Sequence, residues 1–425
     1  MDSAYARDFA RALEVGRPPN VKKLFPNSRA LIVSGKAADR AARAKGKCMI
    51  LAANARSHIT LRGVLAAAQR ANAVVIVEIA RSEGNYCPVN FWNIARQADA
   101  VMNELGITVP VVIHADHYGI KKNSDLPFAR QEIPTAFEAG ITSIAIDASH
   151  LPDDENLLAV LDLFPVIPGW AGLETEVGEI KGASGLSTVD EALFLIKGLN
   201  AHGILPDWIA LNNGTTHGIE SSASGIQVEL TAGIHEALVP YGVSGAQHGT
   251  SGNSTEKLKA IAQKTRTTKA NVATAFQMIA WGVAVNDYGN AQLTPDGEFV
   301  KEKGAGVTPD LWAEMCAFAA EKGWKKGDYK KLNLPFESRI LALPRTVREG
   351  MAKAVEDFAY KLITEVFNGA GTAPLAVESL LSAGSFDPGP KARVVEKAAE
   401  WTPEKIRERA RQVAAPDGPK GNFDD

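Results

Sequence analysis

The chain has 425 residues, 45 % hydrophobic and 22 % charged, which excludes a mostly disordered protein and allows one large α/β domain with extensions or two smaller domains. Its 46 basic and 49 acidic side chains give a formal charge of −3, without the basic excess that binding to nucleic acid or a membrane surface would need. Three cysteines, Cys48, Cys87 and Cys316, make no disulfide framework and are expected as reduced thiols of a cytoplasmic protein. The first residues lack the apolar stretch of a signal peptide, and no run of about 18 apolar residues exists to span a bilayer.

In chain order, 1–46 reads as a helical segment, with Phe9, Leu13 and Val15 among charged positions. Short apolar runs then recur, each followed by helix-like spacing. They are Cys48–Asn54, Ala73–Ala80, Val109–Asp116, Ser143–Ser149, Gly172–Gly178, Trp208–Asn213, Val243–Gly249 and Ala280–Asp287. Most are apolar on both faces, as strands covered by helices must be, and strand–helix alternation implies parallel pairing. Eight such units predict a closed (β/α)8 TIM barrel over 47–296. A doubly wound open sheet is the alternative, but no G-x-G-x-x-G follows an early strand. Beyond the barrel, 297–400 reads as a helical insertion with closing helices, including one long amphipathic region over Ser338–Gly369, and 401–425 as a charged tail.

Active sites of such barrels lie at the C-terminal strand ends, and these ends are polar here. They carry or lead into Asn54, Ser82, His114-Ala115-Asp116-His117, Asp147 with His150, Glu174 with Glu176, His217-Gly218, His248-Gly249 and Asn286-Asp287. His117, His217 and His248 come from different strand ends and can converge above the barrel mouth. Three neutral imidazoles suit Zn2+ with a position left open, and they leave its full charge to polarise a bound oxygen. Asp116, beside His117, is placed to move a proton. Glu174, Glu176 and Asp147 can hold a second metal or monovalent cation, orient a histidine, or pair with lysine or arginine. Gly249-Thr250-Ser251 offers backbone N–H groups and hydroxyls as a phosphate cradle.

The succession HADHYG, IAIDASHLPDDEN, LETEVG, NNGTTHG, QHGTSGNS and AVND resembles the class II, zinc-dependent fructose-bisphosphate aldolases, with LAANARSHITLRGVLAAAQRANAVVIVEIARSEGNYC matching that family's opening strands. The similarity runs from about Lys47 to Asn290 and returns weakly over Ser338–Gly369. It implies that His117, His217 and His248 bind zinc, and that Asp116 handles the substrate hydroxyl proton. Asp147 and Glu176 match positions linked to a second or alternative metal; the family's loop that moves a proton at the substrate carbon reads GEIKGASGLS here, with Glu179 the acidic residue remaining near its start. Ser82, Gly218, Gly249, Ser251 and Asn286 match sugar-phosphate contacts, with Asn54, Thr250 and Asp287 beside them. The family's eighth strand ends N-x-D-T or N-x-A-T, a place read here as Asn286-Asp287-Tyr288-Gly289. The resemblance further implies a homo-oligomer, dimer or tetramer, acting in glycolysis and gluconeogenesis on fructose 1,6-bisphosphate or another ketose phosphate. A lysine Schiff-base aldolase would need a lysine at a strand end, and none of the eight runs ends in one; Lys181 lies in a loop beyond the fifth. A barrel that binds a sugar phosphate without catalysis is the rival from another class.

Overall fold

The computed structural model describes residues 3–178, 185–214, 225–251, 253–287 and 289–413. Eight parallel strands close on themselves: β1 (Ile50–Asn54), β2 (Val75–Ala80), β3 (Val111–Gly119), β4 (Ser143–Asp147), β5 (Gly172–Val177), β6 (Trp208–Leu211), β7 (Ser244–Gln247) and β8 (Thr267–Val272). β8 pairs with β1 in the register Ile50↔Lys269 and Ala52↔Asn271, completing the barrel. A two-residue strand, Ile32–Val33, adds to the start of β3.

The outward positions of these strands are apolar because each packs beneath a helix. Leu51, Val77, Ile113, Ile146, Leu173, Ile209 and Val272 are all buried in one continuous core. Inside the barrel the character changes with depth. Ile50, Ile76, Val112 and Trp208 fill the N-terminal end beside the helix Gly35–Lys45, which plugs that mouth. Higher up, the inward positions are Glu78, His114, Glu174 and Lys269, all fully buried. Alternation therefore sends apolar side chains outward and charged ones inward.

Two sequence expectations need correction. The eighth strand is Thr267–Val272, not Ala280–Asp287. The latter run contains the end of the helix Thr274–Trp281 and then two positions, Val283 and Val285, that form isolated antiparallel bridges. Polar Thr267, Thr268, Lys269 and Asn271 disguise the true strand. The region Ser338–Gly369 is also not one helix. It holds the end of Asn333–Leu341, a break before Pro344, the helix Arg345–Lys361 and a wide π turn over Leu362–Val366. A proline ring removes a backbone donor and disfavours helical geometry in the residue before it, hence the break.

The helix Arg345–Lys361 packs against His58–Ala71, the helix that follows β1, and against Thr274–Trp281. It thus fills the eighth place in the outer ring, separated from β8 by a long insertion. Gly63 lets the two helices approach: a Cβ there would lie 2.5 Å from the Ala352 carbonyl oxygen and 2.7 Å from Val355 Cβ.

Candidate active site

β3 carries the decisive local feature. Its pairing with β4 slips between Ala115 and Tyr118, and His117 adopts φ 41°. A bulge of this kind re-aims side chains. Neighbours that would point to opposite faces of a regular strand, Asp116 and His117, both line one cavity of about 730 Å³ at the C-terminal end of the barrel. Asn54, Ser82, Asp147, Gly249, Thr250 and Ser251 line it too.

His117 Nδ1 lies 3.1 Å from Asp147 Oδ2 and 3.4 Å from Glu176 Oε2. The His248 ring sits 4.4 Å away, centroid to centroid. Its Nε2 is 2.8 Å from Glu174 Oε1, and its Nδ1 is 3.7 Å from Glu176 Oε1. Gln247 supports the backbone here, donating from Nε2 to the His248 carbonyl at 2.7 Å. Asp147 is oriented by Ser149, whose hydroxyl donates to Oδ1 at 2.6 Å.

Asp116 is held by two amides: Asn54 Nδ2 donates to Oδ2 at 3.1 Å and Asn271 Nδ2 to Oδ1 at 3.0 Å. Asn54 also donates to Glu83, which accepts from the Ala80 N–H and pairs with Arg56 Nε at 2.6 Å. Arg56 in turn reaches Gln277, which accepts from Asn333. Asn271, Glu83 and Arg56 are site residues that sequence reading missed. Asn271-Val272-Ala273-Thr274 is itself an N-x-A-T ending, a signal present in the sequence but hidden by the misplaced eighth strand.

Asn286 and Asp287 are correspondingly displaced from their expected role. Neither lines the large cavity. Asn286 Oδ1 accepts from the Asn290 N–H, while exposed Asp287 pairs with Lys361 at 3.3 Å and borders a small cleft behind Thr250 and Ser251. The Thr250 hydroxyl donates to the Asn271 carbonyl, tying the turn after β7 to β8. Glu179, His217 and Gly218 lie outside the described residues.

The electrostatics point to a cation. Burial acts to depress the His117 ring, but Asp116, Glu176 and Asp147 outweigh it and hold the ring well above its ordinary value. Burial pushes Asp147 up, and contact with His117 brings it below the carboxylate range. Glu176 goes the other way, raised by burial and by Asp147. Its buried Oε2 lies 3.4 Å from His117 Nδ1 without forming a well-aligned hydrogen bond. Asp116 with both histidines, and His117 with Asp147 and Glu176, form two groups whose donor atoms lie within 4.8 Å of one another. Imidazole nitrogens with carboxylate oxygens are a donor set that fits a divalent ion such as zinc.

A third group, Glu78 with His114 and Asp116, already has a cation beside it. Lys269 Nζ lies 3.1 Å from Glu78, 2.8 Å from Glu174 and 3.8 Å from Asp116. Burial opposes its charge, but Glu174, Glu78 and Asp116 raise its pKa above the ordinary lysine value. So β8 does contain a barrel lysine. Lys269 does not line the cavity and is held by three carboxylates, so it presents no amine to a carbonyl there.

A family model described as fructose-bisphosphate aldolase class-II matches residues 36–324. The chain belongs to that family. Family membership makes it a class II aldolase, a carbon–carbon lyase. The fructose-bisphosphate aldolase of Streptococcus pneumoniae serotype 4 is 28 % identical over 252 residues, covering 57 % of this chain and 78 % of that one. A fructose-bisphosphate aldolase of Staphylococcus aureus strain Mu50 is 34 % identical over 96 residues, covering 23 % and 30 %. Among solved structures, the YdjI aldolase of Escherichia coli K12 superposes with a TM-score of 0.53 at 20 % identity, covering 80 % of this chain and 99 % of that one. Fructose-bisphosphate aldolase of Campylobacter jejuni gives 0.52 at 18 %, covering 81 % and 97 %. At those identities the solved structures attest the barrel. The aldolase match stops before Gly327 and Lys330, which nonetheless line the cavity. No helix among the described residues is long and apolar enough to cross a membrane.

Proposed function

We propose that this aldolase reversibly cleaves a phosphorylated ketose, with fructose 1,6-bisphosphate as substrate and glycerone phosphate and glyceraldehyde 3-phosphate as products. The observation that carries the reading is Asp116, clamped by Asn54 and Asn271 beside the His117–His248–Asp147–Glu176 cluster. His117 and His248, with His217, are the residues to hold a catalytic zinc, which when bound supplies Lewis-acid stabilisation of negative charge developing on the substrate oxygens. Asp116 takes the proton from the hydroxyl at the bond to be broken and returns it in the condensation direction. Its two amide donors keep both carboxylate oxygens aimed and leave lone pairs for the substrate. Glu179 is assigned the proton at the substrate carbon. Asp147 and Glu176 orient His117, or hold a second cation when one is supplied.

The phosphate end is assigned to Gly249, Ser251 and Gly218. Ala273 and Thr274, also on the cavity wall, take the place first given to Asn286 and Asp287. Thr250, whose hydroxyl is engaged with Asn271, offers its backbone N–H. Lys121 and Lys330 bring ammonium groups to the cavity wall, where Arg56 and Arg81 pair with Glu83 and Glu132. In this family setting the protein would serve glycolysis and gluconeogenesis, as a homo-oligomer.

Metal analysis combined with cleavage of fructose 1,6-bisphosphate tests the reading. Cleavage should vanish when a chelator strips the metal and return with zinc. Undiminished cleavage by metal-free protein would overturn it. A zinc-loaded protein that cleaves none of several ketose phosphates would favour the non-catalytic barrel instead.

A further inference from the structure

Lys269 lies one layer below the cavity, on the strand that sequence reading overlooked. Its side chain is fully buried and touches carboxylates from β2, β3 and β5. Two of these contacts lead upward to the site. Glu174 forms an ion pair with Lys269 through Oε2 and a hydrogen bond with His248 Nε2 through Oε1, both at 2.8 Å. Asp116 faces Lys269 with Oδ1, the oxygen that also accepts from Asn271, two residues further along the same strand. When Glu174 accepts the Nε2 proton of His248, the ring's lone pair is on Nδ1, which faces Glu176 at 3.7 Å. A carboxylate behind a ligating histidine fixes its tautomer and tilt in this way.

We infer that Lys269 is a positioning residue: its ammonium fastens Glu174 and Asp116 together from below, setting the tautomer of His248 and the aim of Asp116 with one charge. Without that ammonium, the carboxyl groups of Glu78, Asp116 and Glu174 face one another inside the barrel. Like charges so buried repel strongly, and they would rotate apart or take up protons. Either response releases His248 Nε2 or turns Asp116 away from the substrate. Among the described residues no hydrogen bond or ion pair joins Lys269 to the phosphate cradle at Gly249–Ser251, so the effect should fall on metal and chemistry rather than on substrate capture. The inference rests on the aldolase reading for the roles of Asp116 and His248.

The test is Lys269→Met, read in the full-length protein by zinc affinity against a competing chelator and by steady-state kinetics on fructose 1,6-bisphosphate. Expected are a zinc dissociation constant raised about 10–100-fold, the range for lost partners of metal ligands, and a lowered kcat at nearly unchanged KM. Lys269→Met/Glu78→Gln removes one carboxyl charge along with the ammonium, and it gives a folded protein if the single variant does not fold. It should show the same two defects, because Glu174 and Asp116 still lack their clamp. Zinc affinity and kcat both within twofold of the parent, in whichever variant folds, would overturn the inference and leave Lys269 a plain core ion pair. The zinc measurement needs no turnover. A parent enzyme that binds zinc but cleaves no ketose phosphate would therefore refute the aldolase reading while this arm still decides the role of Lys269.

Discussion

Asp116 shows how closely chemistry and support are joined at single residues. Replacing it by alanine leaves His117 and His248 in place, so metal should be retained while kcat falls by on the order of 10²–10⁴, the range for a lost acid–base group. An unchanged kcat would remove Asp116 from the reaction. His235 makes a contrasting case away from the site. It is buried at the foot of β7, and its Nδ1 accepts the Arg266 N–H. Burial first, then the Arg266 charge, lowers its pKa to about 4. The unfolded chain binds a proton there near pH 6.5 and the folded chain does not, so stability is complete above about pH 6.5 and is lost as pH falls towards 4. At pH 5 the loss from this residue should be about 2 kcal/mol relative to pH 7.5. Denaturant titrations of the parent and of His235→Gln at both pH values check this. Equal losses in the two proteins would clear His235 of the effect.

Strands and loops show what was legible in the sequence and what was not. All barrel strands but β8 announce themselves, because outward positions such as Val75, Val77 and Ile79 supply apolar runs long enough to stand out. β8 does not. Its inward positions are Lys269 and Asn271, and its lower end is Thr267-Thr268, so only Ala270 and Val272 carry the apolar signal. His117, His248 and Asp116 were legible as polar residues at strand ends, yet the bulge that turns Asp116 and His117 into the same cavity was not, because backbone slippage leaves no trace in residue type. Nor could the cavity wall beyond the strands be read. Lys330 sits on the short helix Lys326–Leu332, with its Nζ 5.5 Å from the centre of the Tyr86 ring. Coming from the insertion, it lies opposite no motif. Lys330→Met should raise KM for a ketose bisphosphate several-fold and leave KM for the corresponding 1-phosphate unchanged. Equal rises for both would place Lys330 outside the recognition of the second anionic group.

At the scale of the whole molecule, the segments outside the strands are locked to the barrel at both ends. Below, Lys391 pairs with Asp39 on the plugging helix at 2.6 Å and donates to the Asp207 carbonyl. Above, Asn333 reaches the site through Gln277, Arg56 and Glu83. The side of the barrel depends on the meeting of His58–Ala71 with Arg345–Lys361. Gly63→Ala gains about 1 kcal/mol of helix propensity but forces a methyl against the Ala352 carbonyl, backbone that cannot swing aside. We expect a net loss of up to about 2 kcal/mol, since overpacking costs about 1–3; a raised melting temperature would show that the helices separate freely. The late position of that partner helix also has a consequence during synthesis. The ribosome delivers residues in order at about 5–20 per second, so His58–Ala71 emerges long before the surface that covers it. In the interval β1 has an open edge until β8 arrives, and the face of His58–Ala71 that carries Gly63 waits for the helix that follows the insertion. A nascent chain halted before Arg345 should therefore bind holding chaperones and aggregate on release, whereas one halted after Lys361 should resist protease.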